Sequence, residues 1–213
     1  MEWETLSLTC VEHQKDDLFA KLMALFSLSP LVISISLATF MFCKRDTYSI
    51  IFSIGLVLNF VMVQVEKIII KEPRPPGGPG ERSLFQYGMP SMHCQFVSFF
   101  ALFLTLSIIL RWKMSLSSKS FYLFAINVIL FGTCVSRVYL LYHTVRQVIV
   151  GVVVGACLGV TWYYLTKWVS YYVNRFILSS TIAEYFCIRN LGHLEDATQF
   201  EYDIAMRSLM KNQ

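Results

Sequence analysis

Three short segments of the chain carry the side chains that are needed to bind and cleave a phosphate ester. Each segment adjoins a long apolar run, and together they supply three cations, a hydroxyl and two imidazoles. Their polar residues are Lys67 and Arg74, Ser91 and His93, and Arg137 and His143. Cations bind phosphate oxygens, and two histidines near one phosphorus atom divide naturally into a nucleophile and a general acid. The predicted chemistry is therefore cleavage of a phosphate ester at a membrane surface.

The first segment, residues 67–75, reads KIIIKEPRP and combines two kinds of cation. Arg74 offers a rigid fork for two phosphate oxygens, whereas Lys67 offers a mobile point charge. Pro73 and Pro75 predict that the preceding helix stops just before them, so that Arg74 approaches from a loop. The alternative for Lys67 is an ammonium group that reaches out of the end of a span toward water. We assign that structural role to Lys71.

The second segment places Ser91, Met92 and His93 at the start of an apolar run, directly after Pro90. Ser91 is predicted to cap the helix that follows. The free backbone N–H groups of the first turn and the positive end of the helix dipole form an anion site. His93 lies in the same turn, where it can reach the same anion. The alternative is that Ser91 only caps the helix and His93 only faces the lipid headgroups.

The third segment carries Arg137 and His143 at the end of another apolar run. Six residues correspond to about 600° around a helix, so these two side chains cannot share one helical face. A break or bend between them is therefore predicted. Gln147 follows His143 by about one helical turn. Its side-chain carbonyl is expected to accept a hydrogen bond from the imidazole and to fix the tautomer.

The composition indicates an integral membrane protein. Hydrophobic residues make up 55% of the chain, charged residues only 15%, and the mean hydropathy is +0.55. Soluble domains are about 45–50% apolar and about 25% charged. A net charge of +4 with scattered basic residues argues against nucleic-acid binding. The six cysteines include no CxxC pair, which argues against a zinc site or a disulfide framework.

Five apolar stretches are long enough to cross a bilayer, which takes about 20 helical residues. They span residues 22–43, 47–65, 94–110, 120–136 and 147–166, and the second helix is expected to continue to Ile70. The fold class predicted is an all-α membrane bundle of about five helices, with a kink at Pro30. The first 21 residues are acidic and do not resemble a signal peptide, so the first run is interpreted as a retained span.

The chain is predicted to divide into an N-terminal segment (1–21), a helical domain (22–166) and a tail (167–213). Gly151, Gly155 and Gly159 recur at four-residue spacing, which is typical of close helix packing in lipid. The loop between the second and third spans is rich in Pro and Gly and excludes regular helix. The aromatic segment 168–186 predicts either an interfacial helix or a poor sixth span.

Five spans place residues 1–21, 66–93 and 137–146 on one side of the membrane and residues 44–46, 111–119 and 167–213 on the other. The short loops of the second side carry five cations against the single acid Asp46. Those cations are Lys44, Arg45, Arg111, Lys113 and Lys119. The positive-inside rule places that side in the cytoplasm. The two histidine segments are then expected to face a lumen or a periplasm-like space.

The three motifs, in this order and spacing, resemble the type-2 phosphatidic acid phosphatase (PAP2) superfamily. They read Lys67-x6-Arg74-Pro75, Pro90-Ser91-x-His93 and Ser136-Arg137-x5-His143. The resemblance extends from about Leu8 to Tyr202 and is stronger to the branch that acts on dolichyl diphosphate in the endoplasmic reticulum. Further stretches that resemble this branch are Ser27–Pro30, Tyr87–Ser91, Ser136–Thr144, Glu184–Arg189 and Phe200–Tyr202.

The resemblance implies a role for each residue. His143 would attack the terminal phosphorus to form a phospho-histidine, and His93 would protonate the leaving oxygen. The phosphate oxygens would be held by Lys67, Arg74, Ser91 and Arg137 together with the backbone N–H groups of Met92 and His93. No metal or other cofactor is implied, because the cations and the helix end supply the positive charge.

Two positions depart from the pattern of the wider superfamily, which has Gly at the place of Met92 and Asp at the place of Gln147. Met92 adds bulk beside the phosphate, although its N–H is expected to serve. An uncharged Gln147 can orient His143 but cannot stabilise an imidazolium as a carboxylate does, so another acid could take that role.

The resemblance implies hydrolysis of dolichyl diphosphate to dolichyl phosphate at the lumenal face of the endoplasmic reticulum membrane, which recycles the carrier for protein N-glycosylation. Two alternatives stay open. One is a phosphatase acting on phosphatidic acid, a prenyl diphosphate or undecaprenyl diphosphate. The other is a lipid-binding membrane protein of the same fold that has lost turnover. The expected partners are the lipid substrate and the membrane.

Overall fold

The structure is a computed structural model that describes residues 3–6, 11–79, 87–176 and 180–189, with residues 202–204, 206, 207 and 210 beyond them. The remaining parts of the predicted N-terminal segment and tail, including Phe200, lie outside the described residues. The elements are β1 (Trp3–Leu6), β2 (Val11–Gln14), α1 (Leu18–Ser27), α2 (Ser29–Lys44), α3 (Thr47–Ile70), α4 (Met92–Leu110), α5 (Leu116–Tyr139), α6 (Val145–Phe176) and α7 (Thr181–Tyr185).

Five helical segments of the described chain are long and apolar enough to cross a membrane, which confirms the predicted helical membrane bundle. They are Leu18–Lys44, Thr47–Ile70, Met92–Leu110, Leu116–Tyr139 and Val145–Val173. Their outward-facing side chains are large and apolar, as expected for contact with lipid chains. Each span begins or ends within a few residues of its predicted limit.

The first span is divided into α1 and α2 at Leu28, as the proline predicted. Pro30 lies in the first turn of α2, where its missing N–H costs nothing. The span starts before residue 22 because the side chain of Asp17 accepts hydrogen bonds from the N–H groups of Phe19 and Ala20. Both bonds lower the pKa of the Asp17 carboxyl, and the bond from Ala20 has the larger effect.

The last long helix differs from the predicted division at residue 166. Helix α6 runs without interruption from Val145 to Phe176, so residues 168–176 continue the fifth span and form neither a sixth span nor a separate interfacial helix. Nothing in residues 167–176 breaks a helix, since Gly and Pro are absent there. Residues 186–189 then pair with the connection between α2 and α3, where the N–H of Thr47 donates to the carbonyl of Arg189 at 3.0 Å.

A two-stranded antiparallel hairpin, which the sequence analysis did not predict, precedes the helices. Trp3 pairs with Gln14 and Leu6 with Val11. The hairpin contacts the turn before α6, because the N–H of Glu12 donates to the hydroxyl of Tyr142 at 3.1 Å. The described part of the N-terminal segment therefore lies at the same end of the bundle as the histidine segments.

Helix α4 is the centre of the bundle, and α6 packs directly on its backbone. A Cβ atom built on Gly151, Gly155 or Gly159 would lie 2.7, 2.2 and 2.7 Å from backbone oxygens of α4 or its cap. The glycines therefore serve close helix packing, as expected. This contact fixes the position of the start of α6 relative to the start of α4, where the polar residues lie.

Candidate active site

The three polar segments meet at one end of the bundle and are joined by backbone hydrogen bonds. Pro73 and Tyr87 form an antiparallel bridge, and the N–H of Gly88 donates to the carbonyl of Glu72 at 2.7 Å. The N–H of Ser91 donates to the carbonyl of Gln147 at 3.1 Å. The end of α3, the start of α4 and the start of α6 are thus connected directly, independently of any side chain.

The turn between α5 and α6 brings His143 back beside Arg137, as the predicted bend requires. The N–H groups of Tyr142 and His143 both donate to the carbonyl of Arg137, at 3.1 and 3.0 Å. Leu141 adopts a left-handed φ of 54°, which reverses the chain. Arg74 contacts this turn from the loop after α3, since its Nη1 donates to the carbonyl of Tyr142 at 3.2 Å.

The two cations on helices are buried. Lys67 is 5% exposed and Arg137 is 3% exposed. Lys67 Nζ donates to the carbonyl of Tyr87 at 3.1 Å, and Arg137 donates through Nη2 to the hydroxyl of Ser27. Among the residues that the structure describes, neither cation contacts a carboxylate, and Nε of Arg137 has no hydrogen-bond partner. Because buried charge is costly when it is uncompensated, these groups are suited to an anionic ligand.

A layer behind Arg137 holds its guanidinium in place. The hydroxyl of Ser27, which accepts from Arg137, lies 2.6 Å from the hydroxyl of Ser136. On the other side, the guanidinium carbon of Arg137 lies 4.4 Å from the centre of the Tyr142 ring. Ser27 ends α1, so the first span contributes to the site although the sequence analysis assigned it no chemical role.

Ser91 occupies the N-cap position of α4 but does not cap the helix with its side chain, which corrects the prediction. The residue is fully buried, and its hydroxyl has no hydrogen bond of standard geometry. The polar group beside it is the thiol of Cys94. The hydroxyl is therefore available to a ligand. The thioether of Met92 accepts a hydrogen bond from Gln64 on α3 at 3.4 Å, so this side chain contacts α3.

The two histidines share one electrostatic environment. Both lie within electrostatic range of Lys67, Arg74 and Arg137, and they also interact with each other. His143 is 3% exposed. Burial, followed by the charges of Arg74, Arg137 and Lys67, places the pKa of His143 well below its ordinary value. Its imidazole is therefore neutral near neutral pH, which is the state that a nucleophile requires.

Gln147 contacts His143, as the spacing predicted. Oε1 of Gln147 lies 3.2 Å from Nδ1 of His143 and 3.3 Å from the N–H of Thr144. The amide nitrogen of the same side chain donates to a carboxylate oxygen of Glu72 at 3.0 Å and to the carbonyl of Pro73 at 2.7 Å. The structure therefore places a carboxylate one amide group away from the imidazole.

All the predicted site residues lie at this end of the bundle, and three contributors were not predicted. They are Ser27, Glu72 and Tyr142. Ser27 and Tyr142 fall within stretches that carried the family resemblance, and Glu72 lies inside the first motif, next to Pro73. Their positions thus contained a signal, but their contacts with Arg137, Gln147 and Arg74 depend on the tertiary structure.

Together, the five spans and the cluster of buried cations and histidines define an integral membrane protein with a site suited to an anionic phosphate group. Residues 47–171 match the family model for the PAP2 superfamily. The chain belongs to the PAP2 superfamily and is a phosphatase.

Relatives and a solved structure agree with this assignment. The chain is 36% identical over 209 residues to dolichyldiphosphatase 1 of Rhinolophus ferrumequinum, covering 95% of this chain and 88% of that protein. It is 35% identical over 208 residues to dolichyldiphosphatase 1 of Dictyostelium discoideum, covering 96% and 90%. The fold resembles that of a transmembrane PAP2-type phosphatidylglycerolphosphate phosphatase from Bacillus subtilis, with a TM-score of 0.55, 21% identity and coverage of 73% and 76%.

Proposed function

We propose that the protein hydrolyses dolichyl diphosphate to dolichyl phosphate and inorganic phosphate at the lumenal face of the endoplasmic reticulum. The product would return to the carrier pool for protein N-glycosylation. Two relatives that share over a third of their residues with nearly the whole chain are named for this reaction. The excess of cations in the connections at the opposite end of the bundle, near Lys44 and Arg111, supports the lumenal orientation of the site.

The observation that carries the proposal is the position of His143. Its buried ring lies in a turn that both arginines contact at Tyr142, Arg74 through the backbone carbonyl and Arg137 through the aromatic ring, with Lys67 in electrostatic range. A neutral imidazole among three cations can attack an anionic phosphorus without repulsion, because the cations neutralise the phosphate oxygens.

In the first step, Nε2 of His143 forms a bond to the terminal phosphorus while the bond from phosphorus to the bridging oxygen breaks. His93, which takes up a proton when the anionic diphosphate binds beside it, donates that proton to the bridging oxygen as dolichyl phosphate leaves. The three equatorial oxygens are held by Lys67, Arg74 and Arg137, with the free hydroxyl of Ser91 and the N–H groups at the start of α4. This transfer leaves a phospho-histidine.

In the second step, water attacks the phosphorus of the phospho-histidine. His93, now neutral, accepts a proton from that water, the bond from phosphorus to nitrogen breaks, and inorganic phosphate is released. The cations hold the same oxygens in both steps, so the site needs no rearrangement between them. The positive charge that a metal supplies in other phosphatases comes here from side chains.

The test is phosphate release by the purified protein in detergent micelles. Dolichyl diphosphate, undecaprenyl diphosphate and phosphatidic acid are compared at equal mole fraction, with and without EDTA. We expect the fastest release from dolichyl diphosphate, unchanged by EDTA, and none from a folded His143→Ala variant. Faster turnover of phosphatidic acid would overturn the assignment of dolichyl diphosphate as the substrate, and phosphate release by His143→Ala would overturn the mechanism. Binding of the lipid without release of phosphate would indicate a non-catalytic protein.

The intermediate and the orientation have separate readouts. Brief mixing with dolichyl diphosphate labelled in its terminal phosphate, followed by alkaline quenching, should label wild type and leave His143→Ala unlabelled. An N-terminal glycosylation tag should be modified in microsomes if the site faces the lumen. A tag that stays unmodified there while a C-terminal tag is modified would reverse the orientation.

A further inference from the structure

We propose that Glu72 is a positioning residue for His143 and acts on its imidazole through the side-chain amide of Gln147. This inference rests on the proposed function, in which His143 is the nucleophile. It identifies the acid that supplies negative charge behind a histidine whose direct partner in this chain, Gln147, is uncharged.

The orientation of the Gln147 amide is determined by its surroundings. A carboxamide has two lone pairs on oxygen and two N–H bonds, and all four are used here. Oε1 faces the N–H of Thr144, a donor only, whereas Nε2 faces a carboxylate of Glu72 and the carbonyl of Pro73, which are acceptors only. A reversed amide would place oxygen against two oxygens and nitrogen against an N–H.

This orientation selects the tautomer of His143. Because Oε1 of Gln147 can only accept, Nδ1 of His143, at 3.2 Å, must carry the proton and donate. The lone pair is then on Nε2, the nitrogen that attacks phosphorus in the proposed reaction. The backbone reinforces the arrangement, since a Cβ atom on Gly88 would lie 2.4 Å from Oε1 of Gln147.

A continuous chain of hydrogen bonds then leads from the Glu72 carboxylate through the Gln147 amide to the imidazole. Hydrogen bonds in series polarise one another, so an anion at the far end makes Oε1 a stronger acceptor. Glu72 is ionised, because hydrogen bonds from Arg146 and then from Gln147 hold its pKa below the ordinary value. When the ring of His143 becomes positive during phosphoryl transfer, this charge stabilises it.

Arg146 provides the matched control. Its guanidinium forms an ion pair with the oxygen of Glu72 that Gln147 does not contact, and its side chain is 73% exposed against 19% for Glu72. If Glu72 mattered only as the partner of Arg146, removal of either residue would have the same effect. If Glu72 acts through Gln147, removal of Arg146 leaves the chain of hydrogen bonds intact and frees the anion of its counter-charge.

The charged groups around His143 define the expected shifts. Lys67 on α3, Arg74 in the following loop and Arg137 on α5 disfavour its protonation, and His93 on α4 is close enough to interact. Glu72 is the acid linked to the ring through Gln147. Loss of its charge therefore shifts the acid limb of the kcat/KM profile to lower pH, and loss of Arg146 shifts that limb to higher pH.

The experiment compares Glu72→Gln, Arg146→Gln and the double variant Glu72→Gln/Gln147→Glu, all in micelles. Glu72→Gln retains an acceptor for Gln147. By analogy with residues that orient metal-binding histidines, we expect kcat to fall roughly ten- to hundredfold with little change in KM. Arg146→Gln should retain kcat. The double variant moves the carboxylate next to His143 and should regain most of the lost kcat.

Nuclear magnetic resonance of the protein labelled with 15N-histidine gives a readout without turnover. His143 of the wild type should carry its proton on Nδ1, and its protonation midpoint should fall in Glu72→Gln and rise in Arg146→Gln. A wild-type ring protonated on Nε2, midpoints that do not move, or equal losses of kcat in the two single variants would overturn the inference. If the midpoints shift as expected in the two variants but the wild type releases no phosphate, the proposed function is overturned and the inference about Glu72 is not.

Discussion

Nη1 of Arg74 donates a hydrogen bond to the carbonyl oxygen of Tyr142 at 3.2 Å, so the loop after α3 contacts the turn that carries the neighbouring residue His143. Arg74 is separated from this turn by two spans of sequence, and the contact places a guanidinium beside the imidazole. A guanidinium presents its N–H donors in a fixed fork. In the proposed reaction, Arg74 therefore both anchors the turn and binds a phosphate oxygen.

Replacement of Arg74 by Ala should lower kcat/KM by roughly 10²- to 10³-fold, as expected when a donor to a developing phosphate charge is lost. Arg74→Lys should recover only part of this loss, because an ammonium cannot bind the carbonyl and a phosphate oxygen with the same fork. Lys71→Ala is the control, since Lys71 is an exposed cation three residues away. Phosphate release measures all three, and a similar loss in Lys71→Ala would contradict a specific role for Arg74.

Ser27→Ala should destabilise the protein by about 1–3 kcal/mol, because it leaves a buried guanidinium hydrogen of Arg137 without its acceptor. The same substitution should lower kcat, since Arg137 then loses its fixed position. Thermal unfolding in detergent and phosphate release measure the two effects. Ser53→Ala is the matched control, because the hydroxyl of Ser53 only bonds to a carbonyl of its own helix; an equal destabilisation there would refute the argument.

Gly155→Ala should separate α6 from α4, because its new Cβ would lie 2.2 Å from the backbone oxygen of Gln95. Backbone cannot move aside as the end of a side chain can, and overpacking of this kind costs about 1–3 kcal/mol. Since α4 carries His93 and α6 carries Gln147, phosphate release should fall together with the melting temperature. Cys157→Val adds bulk on the exposed face of α6 and should change neither phosphate release nor the melting temperature. Equal losses in Cys157→Val would show that separation of α6 from α4 is not their cause.

The acid limb of the kcat/KM profile should lie below the pKa of an ordinary histidine, which is about 6.5. In the proposed reaction the attacking imidazole must be neutral, and burial together with Arg74, Arg137 and Lys67 lowers the pKa of His143. Activity should therefore persist at mildly acid pH. Arg74→Met removes a cation and should move the limb to higher pH, measured on the residual activity. A limb at or above 6.5 in the wild type would contradict a neutral, desolvated nucleophile.

The same shift makes the free energy of unfolding depend on pH. Below about 6.5 the unfolded chain binds a proton at this histidine while the folded chain does not, so stability falls as the pH falls through this window. Above the window both states are neutral and the contribution is constant. In His143→Gln this part of the dependence should vanish, measured as the difference from wild type in denaturant titrations at several pH values.

The amino-acid sequence by itself determined the five membrane spans and the three segments that are predicted to carry the chemistry. Long apolar runs and the prolines around Arg74 are local features, and local features decide where a helix can start and stop. For the same reason the bend between Arg137 and His143 could be predicted from helical geometry alone. The aromatic segment 168–186 was predicted to be an interfacial helix or a poor sixth span, but its residues 168–176 continue helix α6. Hydropathy falls after residue 166, whereas helix propensity does not.

Only the tertiary structure decided which side chains hold the site residues in place. Ser27 meets Arg137 across 110 positions of sequence, and Glu72 meets Gln147 across 75. Neither pair has a periodicity that a single chain could reveal. Likewise, Ser91 has the residue type of a helix cap, but its hydroxyl accepts no hydrogen bond from the first turn of α4. These contacts arise where helices cross, and the crossing is set by the packing of glycines in α6 on α4.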